Sequence, residues 1–310
     1  MAVNVADTRT QLTLGPLLFH WPADKKRDFY ARIADEAPID VVYLGEVVCS
    51  KRAPFSEPHL PALAERLTRA GKQVVFSTLA EVMLNRERQM TADLCGLSDY
   101  QIEVNDASAL EAISGAPHRI GQLFNVYNEE TLRYLARRGA IHFALPAELP
   151  RDSIRVLADA ARENDVGLEV QVFGRAPLAL SARCYHARAH GRVKDNCQFV
   201  CEEDPDGMTL RTLDGHDWLV VNGVQTLSHP YLCLLREVAD LQALGVTHLR
   251  LSPHTLDMVA AARLFRQVAD GALDAVEAEA RLVKLGELQA LANGFWHGRP
   301  GHDCVTANNA

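Results

Sequence analysis

Along the chain, short runs rich in Val, Ile, Leu and Phe alternate with longer stretches whose apolar residues return every three or four positions. The short runs read as strands. They are LTLGPLLFHW (12–21), DVVYLGEVVCS (40–50), KQVVFSTL (72–79), YQIEVN (100–105), HRIGQLFNVY (118–127), AIHFALPAE (140–148), GLEVQVFG (167–174) and THLRLSP (247–253). Between them, DKKRDFYARIADEA opens on Asp24 as a helix cap and sets Phe29, Ile33 and Ala34 on one face. LPALAERLTRAGK reads as a helix closed by Gly71. NEETLRYLARRGA starts at Asn128, carries acids in its first turn and arginines in its last, and ends on Gly139, as the helix dipole favours. PRDSIRVLADAARENDVG repeats that design.

Eight strand–helix alternations match the rhythm of a (β/α)8 barrel, the TIM-barrel architecture. The competing doubly wound sheet would want a Gly-rich phosphate turn after the first strand, where the chain instead reads HWPADKK. One segment breaks the rhythm. Residues 175–235 are too long for a crossover, and MTLRTLDGHDWLVVNG (208–223) alternates apolar and polar positions around Asp-Gly, the signature of a β-hairpin. The expected organisation is a single barrel domain over 1–293, with 175–235 as a cysteine-bearing insertion and hairpin after strand seven. A tail over 294–310, short of periodicity, wraps or frays.

Composition changes the picture little. The chain has 310 residues, 48% of them hydrophobic, and a formal net charge of −8. That balance speaks against a nucleic-acid partner, whose binding rests on phosphate neutralisation. No apolar run reaches the ~18 residues of a membrane span. The first residues lack a secretory pattern. A cytoplasmic protein with seven reduced cysteines is the expectation.

Three of those cysteines, Cys184, Cys197 and Cys201, fall within SARCYHARAHGRVKDNCQFVC, among Arg183, Arg188, Arg192 and Lys194. Such a run is either a solvated loop or a positive surround for an anionic group. In a barrel, the loop after strand seven lies on the C-terminal face. Cys49 ends strand two on that same face and is the candidate fourth thiol. Cys95, at a helix end, and Cys233, in the helical-looking HPYLCLLREV, read as small buried hydrophobes, and Cys304 lies in the tail. Structural zinc prefers two close cysteine pairs, and only Cys197 and Cys201 form one. Iron–sulfur clusters tolerate looser spacing, so an iron–sulfur cluster on Cys49, Cys184, Cys197 and Cys201 is favoured over zinc or no metal.

The segment EVQVFGRAPLALSARCYHARAHGR resembles the signature of the collagenase-like peptidase family, with Glu169, Gly174 and the Ser181–Cys184 stretch at its characteristic positions and CQFVC as the later cysteine pair. Within that family, YLGEVVCSKR (43–52), FNVYNEETL (124–132) and NGFWHG (293–298) resemble members acting in oxygen-independent ubiquinone biosynthesis. Many relatives carry a cysteine where this chain has Pro177, and the resemblance implies that Cys49 takes its place. It further implies a 4Fe–4S protein in a heterodimer with a homologous chain. That pair hydroxylates a polyprenyl-phenol precursor, helped by a sterol-carrier-like lipid-binding accessory protein. Other members act in RNA hydroxylation, and the family name suggests a peptidase. No Ser-His-Asp order, G-x-S-x-G elbow or H-E-x-x-H motif supports the last.

Catalytic candidates are few. Glu46 and Glu169, near the ends of strands two and seven, would point into a barrel mouth or pair with rim arginines such as Arg52 or Arg175. Asn125 is a substrate-contact candidate, whereas Asn128 is better explained as a cap. His186 and His190 are either exposed or hydrogen-bond donors to cluster sulfurs.

Overall fold

Alternation along the strands explains how the sheet closes. The computed structural model describes residues 9–288 and 290–306. Strands β1 (Gln11–Leu14), β2 (Val41–Leu44), β3 (Gln73–Ser77), β4 (Gln101–Val104), β5 (His118–Ile120), β6 (Ala140–Ala144) and β7 (Gly167–Leu180) follow one another in parallel. After an insertion containing β8 (Met208–Arg211), β9 (Asp217–Asn222) and β10 (Gln225–Cys233), strand β11 (His248–Leu251) pairs in parallel with both β7 and β1. The result is a closed, eight-stranded, all-parallel (β/α)8 barrel, as the rhythm of the sequence predicts.

One set of alternating residues, among them Leu12, Val42, Val74, Ile102 and Leu249, faces the helices and builds the main core. Those helices are α1 (Ala23–Glu36), α2 (Leu60–Arg69), α3 (Asn85–Cys95), α4 (Ala107–Ile113), α5 (Glu129–Ala136) and α6 (Arg151–Glu163). A short α7 (Tyr185–Ala189) lies in the insertion, and α8 (Val238–Leu244), α9 (Met258–Ala269) and α10 (Ala275–Gly286) follow it. Asn128 caps α5 by accepting the Thr131 N–H at 2.9 Å. Gly71, at φ +79°, follows the end of α2. The cap of α1 differs from expectation: Pro22 holds that position, and Asp24 sits inside the first turn.

The opposite residues point into the barrel, and many are polar. Arg250 donates to Glu169 at 2.9 and 3.1 Å and to Glu103 at 2.5 Å, and its guanidinium lies 4.2 Å from the Tyr43 ring centre. Tyr43 donates to Glu169 at 2.7 Å and accepts from Arg119 at 2.9 Å. Burial alone would raise the Glu169 carboxyl, but Arg250 and His142 outweigh it and hold it well below the usual range.

The insertion departs from its expected form in two ways. Strand β7 does not stop at Gly174 but runs on to Leu180, turning out of the barrel where Gly174 takes φ +112°. The stretch around Cys233, read as helical, is the end of β10, which pairs antiparallel with β7 and β9, so the hairpin is part of a larger sheet. Pro230 sits where the β10–β7 register shifts, a position at which a missing N–H is tolerated. Cys233 is buried all the same. Beyond β12 (Leu291–Ala292), which pairs with β10, the chain turns back: Asn293 and Gly294 donate to the Asp303 carbonyl at 3.0 Å, and Trp296 is buried.

Candidate metal centre

Four cysteines from two distant stretches line one pocket on the C-terminal face of the barrel. Cys49 arrives on the loop after β2; Cys184, Cys197 and Cys201 come from the insertion after β7. None is in a disulfide. A small apolar cluster of Leu18, Val47, Val48 and Val224 lies beneath, and both Cys49 and Cys184 pack against it. The rim placement that the sequence suggests for Cys49 is therefore where the chain puts it. Cys95 closes α3, and Cys233 and exposed Cys304 lie elsewhere.

Local chemistry shapes each thiol's place. Cys184 caps α7, its sulfur accepting the Ala187 N–H at 3.4 Å. The Glu46 carboxylate turns back onto its own loop and accepts the N–H groups of Val48 and Cys49, each at 3.0 Å. Lys51 donates to the Lys194 carbonyl at 2.8 Å, and Arg192 to the Cys197 carbonyl at 3.2 Å. The first of these stitches the Cys49 loop to the insertion, and the second braces the insertion itself.

Arg52 is the central cation. It is 1% exposed, yet it donates to the Leu18 carbonyl and the Asn222 side chain, each at 2.9 Å. Burial works against its charge, but nearby Cys201, Glu46 and Cys49 outweigh that cost and keep the guanidinium protonated. Burial pushes the Cys49 and Cys201 thiols up, and the Arg52 charge pulls them back. A buried cation beside four thiols fits an anionic metal–thiolate group.

Spacing bears on which metal these residues fit. Among the described residues, His186, His190 and Asp204 have ligand atoms within 4.8 Å of one another, whereas no three cysteine sulfurs come that close. A single tetrahedral zinc at ~2.3 Å from its thiolates would draw the sulfurs to roughly 3.8 Å apart. His186 binds Asp204 at 2.9 Å through Nε2, and its buried Nδ1 has no partner. His190 is directed at the His186 carbonyl at 3.0 Å.

The catalytic candidates scatter. Glu46 serves its own loop amides and pairs with neither Arg52 nor Arg175. Glu169 lies deep in the barrel against Arg250, below the mouth, because β7 continues well beyond it. Asn125 is exposed on the rim at φ +64°. Arg175 lies away from the cysteines, 4.5 Å from the Tyr231 ring centre. At the mouth itself, Asn105, Gln122, Gln171 and Ser252 surround a small cavity floored by Glu103 and Arg250. The sequence singles out none of these six as a group, because each is one polar residue on a different strand or loop.

A closed parallel barrel with a thiol-lined pocket on its C-terminal face is the class that fold and site define. The model of Peptidase family U32 matches residues 25–305, and the chain belongs to that family. Among solved structures, the chain is similar to a Thermotoga maritima phospho-2-dehydro-3-deoxyheptonate aldolase at 10% identity and a TM-score of 0.42, over 94% of this chain and 75% of that one. It is also similar to an uncharacterized Bacillus cereus protein at 11% identity and a TM-score of 0.45, over 86% and 65% of the two chains. An N-acetylneuraminate lyase from Fusobacterium nucleatum matches at 11% identity and a TM-score of 0.39, over 91% and 82%.

Proposed function

We propose that this chain is an iron–sulfur subunit of an oxygen-independent hydroxylation system acting on ubiquinone precursors. Cys49, Cys184, Cys197 and Cys201 would hold a 4Fe–4S cluster. Its segments resemble UbiV, and the reading places it in a cytoplasmic heterodimer with the homologue UbiU, served by a sterol-carrier-like lipid-binding protein that delivers the polyprenyl phenol. The single observation that supports this most is the meeting of Cys49 with three cysteines of the insertion in one pocket beside buried Arg52.

A four-thiolate cluster supplies one-electron transfer or a structural tie rather than an open iron for substrate. The chain's own residues do the rest. Arg52 offsets the negative charge of the thiolates, and Glu46 orients the Cys49 loop. The polar mouth formed by Asn105, Gln122, Gln171 and Ser252 offers donors and acceptors to a phenolic ring, while the Arg250 charge below is already met by Glu103 and Glu169. A neutral ring suits that mouth better than a free anion. No helix among the described residues is long and apolar enough to cross a membrane.

The test is iron, zinc and acid-labile sulfide on protein purified without oxygen, with its visible spectrum. About four irons and four sulfides per chain, with a broad band near ~400 nm, are expected. One zinc without sulfide overturns the cluster, and returns the RNA-hydroxylation and peptidase readings to the front.

A further inference from the structure

A second, narrow concavity on the same face lies between α1, the loop after β2 and the start of α2 and opens to solvent. Its walls are mainly apolar, from Leu17, Tyr30, Phe55 and Leu63. Lys26 also lines it. This residue is 8% exposed, and its ammonium has no hydrogen-bond or ion-pair partner among the described residues.

An ammonium without a partner at the end of a buried side chain is unfavourable, and native proteins seldom keep one without a use for it. Burial pushes the Lys26 pKa down, and Glu46 only partly restores it. Glu46 is the one carboxylate among the lining residues, and one of its oxygens is already taken by the Val48 and Cys49 amides. Arg27 and His59 face the same concavity, and their side chains have no partner among the described residues. Positive charge therefore exceeds negative charge over an apolar floor. Lys26 also lies in the first turn of α1, a 14-residue helix whose dipole favours an anion at that end.

We propose that this concavity binds an anionic headgroup, a carboxylate or a phosphate, carried on an apolar body, with Lys26 as the counter-charge. The site is separate from the cysteine pocket and does not depend on the hydroxylation reading. It adjoins the cysteine pocket through Glu46, whose carboxylate borders the concavity and holds the Cys49 amide.

The experiment is calorimetric titration of the full-length protein with benzoate, phenyl phosphate and the neutral benzamide, repeated with Lys26→Met. An anion should bind at least about tenfold tighter than benzamide, the worth of a charge-assisted hydrogen bond. Lys26→Met should remove that preference while leaving iron content and benzamide binding unchanged. The tighter of the two anions identifies carboxylate or phosphate as the headgroup. Equal binding of benzoate, phenyl phosphate and benzamide to the unaltered protein, no binding of either anion, or an unchanged anion affinity in Lys26→Met overturns the proposal. The comparison of charged and neutral probes needs no variant, so it stands even where Lys26→Met folds poorly. A melting temperature that rises in Lys26→Met fits an unpaired charge kept for binding rather than for the fold.

Discussion

The Glu46 carboxylate accepts the Cys49 N–H at 3.0 Å, fixing the one pocket cysteine that comes from outside the insertion. Glu46→Ala removes this and the Val48 bond, an effect of about 1 kcal/mol on the loop by analogy with a lost cap. The expected result is protein that folds but loses iron several-fold faster in air, whereas Glu46→Gln, which keeps an acceptor oxygen, stays close to the unaltered protein. Following the decay of visible absorbance after exposure to air reads the difference.

Cys49→Ala should empty the centre as fully as Cys184→Ala, Cys197→Ala or Cys201→Ala. Cys95→Ala should not, since Cys95 closes α3, with its sulfur directed at the Ala109 carbonyl. Iron per chain in anaerobically purified variants decides this, and full iron in Cys49→Ala sinks the four-cysteine set.

Arg52→Met strips the Leu18 carbonyl and the Asn222 side chain of a buried donor. A loss of about 2–4 kcal/mol in urea unfolding is expected. Retention of full stability would mean that the guanidinium is not holding the first two loops to the β9 end.

Glu169 gives the fold a pH signature. Its carboxyl is held below the ordinary value by Arg250 and His142 against the opposing effect of burial. The stability it contributes is therefore complete above its unfolded pKa of about 4.3 and drains away as pH falls through the lower folded value. Glu169→Gln should cost about 3–5 kcal/mol at neutral pH, the range for breaking a buried pair. The gap between variant and unaltered protein should narrow at roughly pH 3.5, where unfolded Glu169 is already protonated. A gap independent of pH would contradict the ion pair.

What sequence alone conveyed, and what it did not, divides along physical lines. Period-two apolar runs separated by helical stretches are local signals, and all eight barrel strands fall where those signals place them. Cys49 could be set beside the insertion because a barrel puts the ends of β2 and β7 on one face. Strand β10 was hidden by Pro230 and by apolar residues that mimic a helix face. The interior ion network was hidden for another reason: Tyr43 and Glu169 stand 126 positions apart, and Glu103 and Arg250 147, so no local pattern announces their contact. Arg52, next but two to Cys49, could be read as a rim cation but not as a buried strut.

The closing of the barrel by β11 onto β1 sets an order of events in the life of the chain. Cys49 leaves the ribosome while β3 to β7 are still unmade, and Cys201 emerges before the residues of β11 that seal the ring. All four thiols have thus been made before the strand that seals the ring. Under the cluster reading, a chain that folds before iron and sulfur arrive holds four gathered thiols open to oxidation. Delivery of iron and sulfur to such a scaffold is then a step that oxygen threatens.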